Sequence, residues 1–197
     1  MNSVSRQWLV APSILGVIWT QIFTSVDYNT AAQTWWQTFV LQPGSSVLSA
    51  VTTTFHHANL AHLLSNLAFV FTLAFVLRGV LSPAPFMALW LIFAPLATLI
   101  SYLSDPNPLV GASAGLMAIL GGALSVALSS ETKIQKKWFS LALVATLVFF
   151  APGDRTAHMS GLCLGYFLGG WVVNGRYALN IGLGFTLSCV AYLIVRA

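Results

Sequence analysis

The chain has 197 residues, of which 57% are hydrophobic and only 6% charged, with a mean hydropathy of +0.83. A soluble domain carries about 25% charged residues, so this composition excludes a solvated globular surface and points to an all-α, polytopic membrane helix bundle. The formal charge of +4 does not indicate a nucleic-acid partner, because the basic residues are scattered and form no stripe with interleaved aromatics.

A membrane-crossing helix needs about 20 apolar residues. In chain order, the apolar runs predict spans at 8–26, 60–80, 84–103, 113–130, 137–151, 157–174 and 177–195. Six form the expected core and the seventh is an addition, so residues 1–197 read as a single transmembrane domain. No small-residue cleavage site clearly follows the first run, which therefore reads as a retained span. Pro83, Pro85, Pro106 and Pro108 punctuate connections, whereas Pro12 and Pro95 fall inside spans, where neighbouring helices tolerate them. Segment 27–59 carries Trp35, Trp36 and Phe39 beside Gln33, Thr34 and Gln37. Such aromatics favour the membrane interface, so short surface-lying helices are expected there. Cys163 and Cys189 lie in apolar runs and read as small buried hydrophobes.

The charges orient the bundle. With the N-terminus in the cytoplasm, Arg6, Arg78, Lys133, Lys136, Lys137 and Arg176 fall inside, and only Arg155 and Arg196 fall outside. The positive-inside rule favours that arrangement over its inverse. Spans two, four and six then begin at the outer face, bringing His57, His62 and Asn66, then Ser113, then His158, to one side of the membrane.

Polar residues within spans are costly, which makes each a functional candidate. Ser113 is a potential nucleophile, and a neutral His158 is a base able to take its proton. Taken singly, both have structural readings: Ser113 lies among Ala112, Ala114, Gly115 and Ala118, small residues that let helices pack closely. His62 and Asn66 are four residues apart and share a helix face. They read either as glue between helices or as donors to a developing oxyanion, with the Ser113 backbone N–H as a further donor. The G-x-S-x-G spacing at Gly111, Ser113 and Gly115 imitates a hydrolase nucleophile elbow, but no strand precedes it. Asp154, four residues before His158, reads as a cap at the start of span six rather than a third catalytic group. His56 and His57 lack cysteine or carboxylate companions, so no metal and no cofactor are expected.

Read together, these motifs resemble the rhomboid intramembrane serine proteases. The match comprises H-x4-H-x3-N at His57, His62 and Asn66, G-x-S at Gly111–Ser113 with Gly121 eight residues on, and A-H-x2-G-x3-G at Ala157, His158, Gly161 and Gly165. The resemblance implies a catalytic dyad of Ser113 and His158 that cleaves peptide bonds of transmembrane proteins within the lipid bilayer. It further implies that His62, Asn66 and Gly111 support the oxyanion or bind substrate. Small residues at Ala157, Gly161 and Gly165 are expected to approach a row at Gly111, Gly115 and Gly122. Four positions depart from the family pattern: Ala114 replaces the glycine that usually follows the serine, Leu48 and Ser49 stand where Trp-Arg is frequent, and Met117 stands where an aromatic often covers the histidine. The rival readings are a non-catalytic rhomboid-like binding factor and a small transporter. The transporter is disfavoured because no Asp, Glu, Lys or Arg sits clearly mid-span. The oligomeric state is not legible.

Overall fold

Asn59 sets the start of the second expected span. Its backbone is extended and its side-chain oxygen accepts the N–H of His62 at 2.9 Å, satisfying one of the donors that a helix start leaves open. In this computed structural model, which describes residues 8–25, 39–78, 81–129 and 154–174, the helices are α1 (Val10–Ser25), α2 (Ser49–Thr52), α3 (Leu60–Leu77), α4 (Pro83–Ser104), α5 (Ser113–Ser129) and α6 (Arg155–Asn174). A single 3₁₀ turn, Thr53–Phe55, follows α2. The described residues contain no strand, only one antiparallel bridge between Leu41 and Leu109.

α3 and α4 have 18 and 22 residues and are long and apolar enough to cross a membrane. At 1.5 Å per residue they span about 27 and 33 Å, matching a hydrocarbon core about 30 Å thick. The apolar parts of α1 and α5 are shorter. Pro83 and Pro85 open α4, where missing N–H groups cost nothing, and the helix continues through Pro95. The expected spans at 137–151 and 177–195 lie outside the described residues, as do Trp35, Trp36, Lys133, Lys136, Lys137, Arg176 and Cys189. Of the surface helices expected over 27–59, the described part shows the one-turn α2 and the 3₁₀ turn.

α5 is the central helix. Every residue from Ala114 to Ala123 is buried, as its apolar character on all sides requires. Around it, Leu15 and Trp19 of α1, Leu73 of α3 and Leu89 and Trp90 of α4 fill the core. The outer faces remain apolar and exposed: Val17 on α1, Leu64 and Phe75 on α3, and Leu91 and Ile92 on α4. That much exposed apolar surface suits lipid, not water.

α5 and α6 meet backbone to backbone. A Cβ on Gly161 would overlap the Ala114 carbonyl oxygen, and one on Gly165 would overlap that of Ala118. A Cβ on Gly169 would lie 2.8 Å from Gly122 Cα, and one on Gly121 would overlap the Leu162 carbonyl. The facing row on α5 therefore runs through Ala114, Ala118 and Gly122, not through Gly111 and Gly115 as the sequence pattern implies. Gly115 turns to α4, where an added Cβ would meet the Trp90 ring and come within 2.6 Å of Ala94 Cβ. Gly111 precedes the helix and lies under His62.

Candidate active site

The close approach of α5 and α6 brings together two side chains 45 residues apart. Ser113 is the first residue of α5, and His158 lies in the first turn of α6. His158 Nε2 is 2.8 Å from Ser113 Oγ. With the imidazole proton on Nδ1, the serine hydroxyl donates to Nε2, the arrangement needed to deprotonate a nucleophile. His158 is buried and Ser113 is half-buried at the edge of a cavity of about 760 Å³, including its open mouth.

The other expected site residues line the same cavity: His62, Asn66 and Gly111, with Ala114, Met117 and Ala157 beside them. Asn66 is 2% exposed, and its Nδ2 has no hydrogen-bond partner among the described residues. A buried amide donor without a partner costs about 1–3 kcal/mol, so Asn66 Nδ2 is open to an acceptor in the cavity, a water or a bound group. His62 covers Gly111, whose would-be Cβ lies 2.6 Å from His62 Cε1. Gly111 also has φ +132°, a conformation reserved for glycine. Two independent constraints thus require glycine two residues before Ser113.

The loop that delivers Ser113 is held by groups the sequence reading did not single out. The Gly111 N–H donates to Thr53 O at 3.1 Å, and Thr53 Oγ1 donates to Leu109 O. The Leu109 N–H donates to Leu41 O at 3.0 Å. Trp90 Nε1 donates to Ala112 O at 3.2 Å, anchoring the residue before the serine. Trp90 left a sequence signal: an indole in mid-span, away from the interface that tryptophan favours, needs a partner for its N–H. Thr53 left none, because its partner is 56 residues away.

Asp154 caps α6, as expected. Its Oδ1 accepts the Ala157 N–H at 2.9 Å, and its Oδ2 accepts from Ser101 Oγ of α4 at 2.7 Å. His57 is fully buried, with its ring 5.5 Å from Trp19 and 5.3 Å from His62. Burial first, then the neighbouring His62 and His56, pushes its pKa down to about 3. His56 stacks on Phe39, and its Nδ1 lies 2.7 Å from Thr52 O. Burial lowers its pKa as well, partly offset by that backbone contact. Met117 is buried at the cavity, and Leu48 and Ser49 stand at the start of α2.

No curated protein matches the chain closely enough to serve as a relative. The family model of the Rhomboid domain matches residues 44–175, 132 of the 197 positions. That stretch contains α2 to α6 and every residue of the cavity, and the chain is therefore an integral membrane protein of the rhomboid family.

Proposed function

We propose that the protein is an intramembrane serine endopeptidase that cleaves transmembrane or membrane-adjacent segments of other membrane proteins. The observation that carries this reading is the 2.8 Å contact between His158 Nε2 and Ser113 Oγ at the edge of an open cavity. Rhomboid proteins are in general intramembrane serine proteases, which supports it.

Chemically, Ser113 Oγ attacks the scissile carbonyl while His158 Nε2 takes its proton. His158 then protonates the leaving amine, and a water activated by the same imidazole hydrolyses the acyl-enzyme. The carbonyl oxygen becomes an oxyanion between Asn66 Nδ2, the His62 ring and the N–H groups at the start of α5. A helical substrate hides its carbonyl in backbone hydrogen bonds, so residues that weaken a helix near the cut favour cleavage. The reading includes one transmembrane domain of six core spans and a seventh, with the N-terminus cytoplasmic and the cavity towards the outer face. The six-to-two split of Lys and Arg supports that orientation.

The test is cleavage of a model transmembrane substrate by the purified protein in detergent, beside Ser113→Ala. Cleavage by the wild type alone is expected. Equal cleavage by both, or by neither, contradicts the proposal.

A further inference from the structure

The turn of α6 that carries His158 projects beyond the glycine contacts with α5, which begin at Gly161. Arg155, Thr156 and Met159 on that turn are exposed. Asp154, at the start of this turn, binds in three directions. Its Oδ1 accepts the Ala157 N–H at 2.9 Å, its backbone carbonyl accepts the His158 N–H at 3.0 Å, and its Oδ2 accepts from Ser101 Oγ at 2.7 Å. Ser101 is 1% exposed and stands near the end of α4, only 12 residues before Ser113. One stretch of chain, 101–113, therefore grips the base's helix at one end and presents the nucleophile at the other.

We propose that Ser101 and Asp154 form a clasp that positions His158 against Ser113, acting through hydrogen bonds and not through the carboxylate's charge. Both are positioning residues, since neither is required to touch the substrate. The physical reason is leverage. Reacting groups must meet within a few tenths of an ångström, and a misplacement of about 1 Å can cost about 10²-fold in rate. Ala157 and His158 on this turn are buried, and a hydrogen bond to the neighbouring helix adds a directional restraint to that packing. The hydrogen bond from Ser101 to Asp154 is short, 2.7 Å, and it ties α4 to the start of α6, one turn before the base.

The proposal rests on the dyad reading of the site, and three variants test it with two readouts. Asp154→Ala removes both the cap and the clasp, and Ser101→Ala removes the clasp alone. Asp154→Asn keeps an acceptor for the Ala157 N–H and a polar group for Ser101, whose hydroxyl can reverse its role. Cleavage kinetics in detergent are expected to show kcat lowered roughly 10- to 100-fold in Asp154→Ala and several-fold in Ser101→Ala, with KM little changed. In Asp154→Asn, kcat and its pH profile should stay close to wild type. The second readout is the imidazole ¹⁵N signal of His158, which reports its hydrogen bond to Ser113 whether or not anything is cleaved. It should shift in Asp154→Ala and Ser101→Ala and stay in place in Asp154→Asn. A wild type that cleaves nothing contradicts the protease reading, and the ¹⁵N signals still decide the clasp. Unmoved signals in Asp154→Ala, or a fall in melting temperature with kcat intact, overturn the clasp. Asp154→Asn as impaired as Asp154→Ala, with a displaced pH profile, shows that charge is what matters and overturns it too.

Discussion

The Cα of Gly161 lies against the carbonyl of Ala114, so closely that any side chain at 161 would overlap that oxygen. Three residues before Gly161 comes His158; the residue before Ala114 is Ser113. The separation of the α5 and α6 backbones therefore bears directly on the distance between the candidate nucleophile and base. Gly161→Ala and Gly165→Ala must each push the helices apart. We expect each to lower stability by about 1–3 kcal/mol and to reduce cleavage far more than substrate binding. Gly16→Ala is the control: its Cβ would meet the movable end of Leu67 at 3.3 Å, and it should be nearly neutral in unfolding and cleavage assays.

Ser113 and His158 should behave as one unit. Replacing either with alanine is expected to lower kcat by at least about 10³-fold while the protein stays folded, and the double variant should be little worse than either single. Multiplying losses in the double variant would mean that the two residues act separately.

Asn66 holds a buried amide donor with no partner among the described residues, at the wall of the cavity. Asn66→Ala is expected to lower kcat by about 10²–10³-fold with a smaller change in KM, as loss of an oxyanion donor does. A change confined to KM would make Asn66 a ground-state contact, and unchanged kinetics would make it packing alone.

His57 links stability to pH. The folded protein keeps it neutral down to about pH 3, whereas the unfolded chain protonates it near 6.5. Between those values the unfolded state binds the extra proton, so stability falls as pH is lowered through that window. The slope from this one group reaches up to about 1.4 kcal/mol per pH unit. Thermal unfolding in detergent from pH 7.5 to 5 should show the decline, and His57→Phe should flatten it. A slope that His57→Phe leaves unaltered would assign the effect to other groups.

Much of this was legible in the sequence because it depends on local chemistry. Runs of apolar residues marked α3, α4 and α5 to within a few residues of their ends, and the polar residues that interrupt them marked the cavity. Asp154 was readable as a cap because capping uses only its own neighbours. What escaped depends on how helices rotate about their axes. Gly111 and Gly115 lie on the same short motif as Ser113, yet one sits in the loop beneath His62 and the other packs on Trp90. The row that meets α6 is Ala114, Ala118 and Gly122. A pattern of small residues announces close packing without saying which neighbour it faces. Contacts such as Thr53 with Leu109, or Ser101 with Asp154, join residues more than 50 positions apart and leave no periodic trace.

Orientation is open to a direct check. With the native cysteines replaced, a cysteine at Asn107 should label with a membrane-impermeant thiol reagent on intact cells, and one at Gln135 should resist. The reverse pattern would put the cavity on the cytoplasmic side. Labelling at both sites would mean that the chain between them does not cross, removing the shared depth of Ser113 and His158.

The most direct measurement on the dyad is covalent capture. A fluorophosphonate reacts only with an activated serine, and the chain offers many serines for comparison. Intact-mass and peptide analysis of the protein in detergent should find one adduct, on Ser113, and His158→Ala should abolish it. No adduct on the folded wild type, or an adduct on Ser113 that persists without His158, would contradict activation of Ser113 by His158.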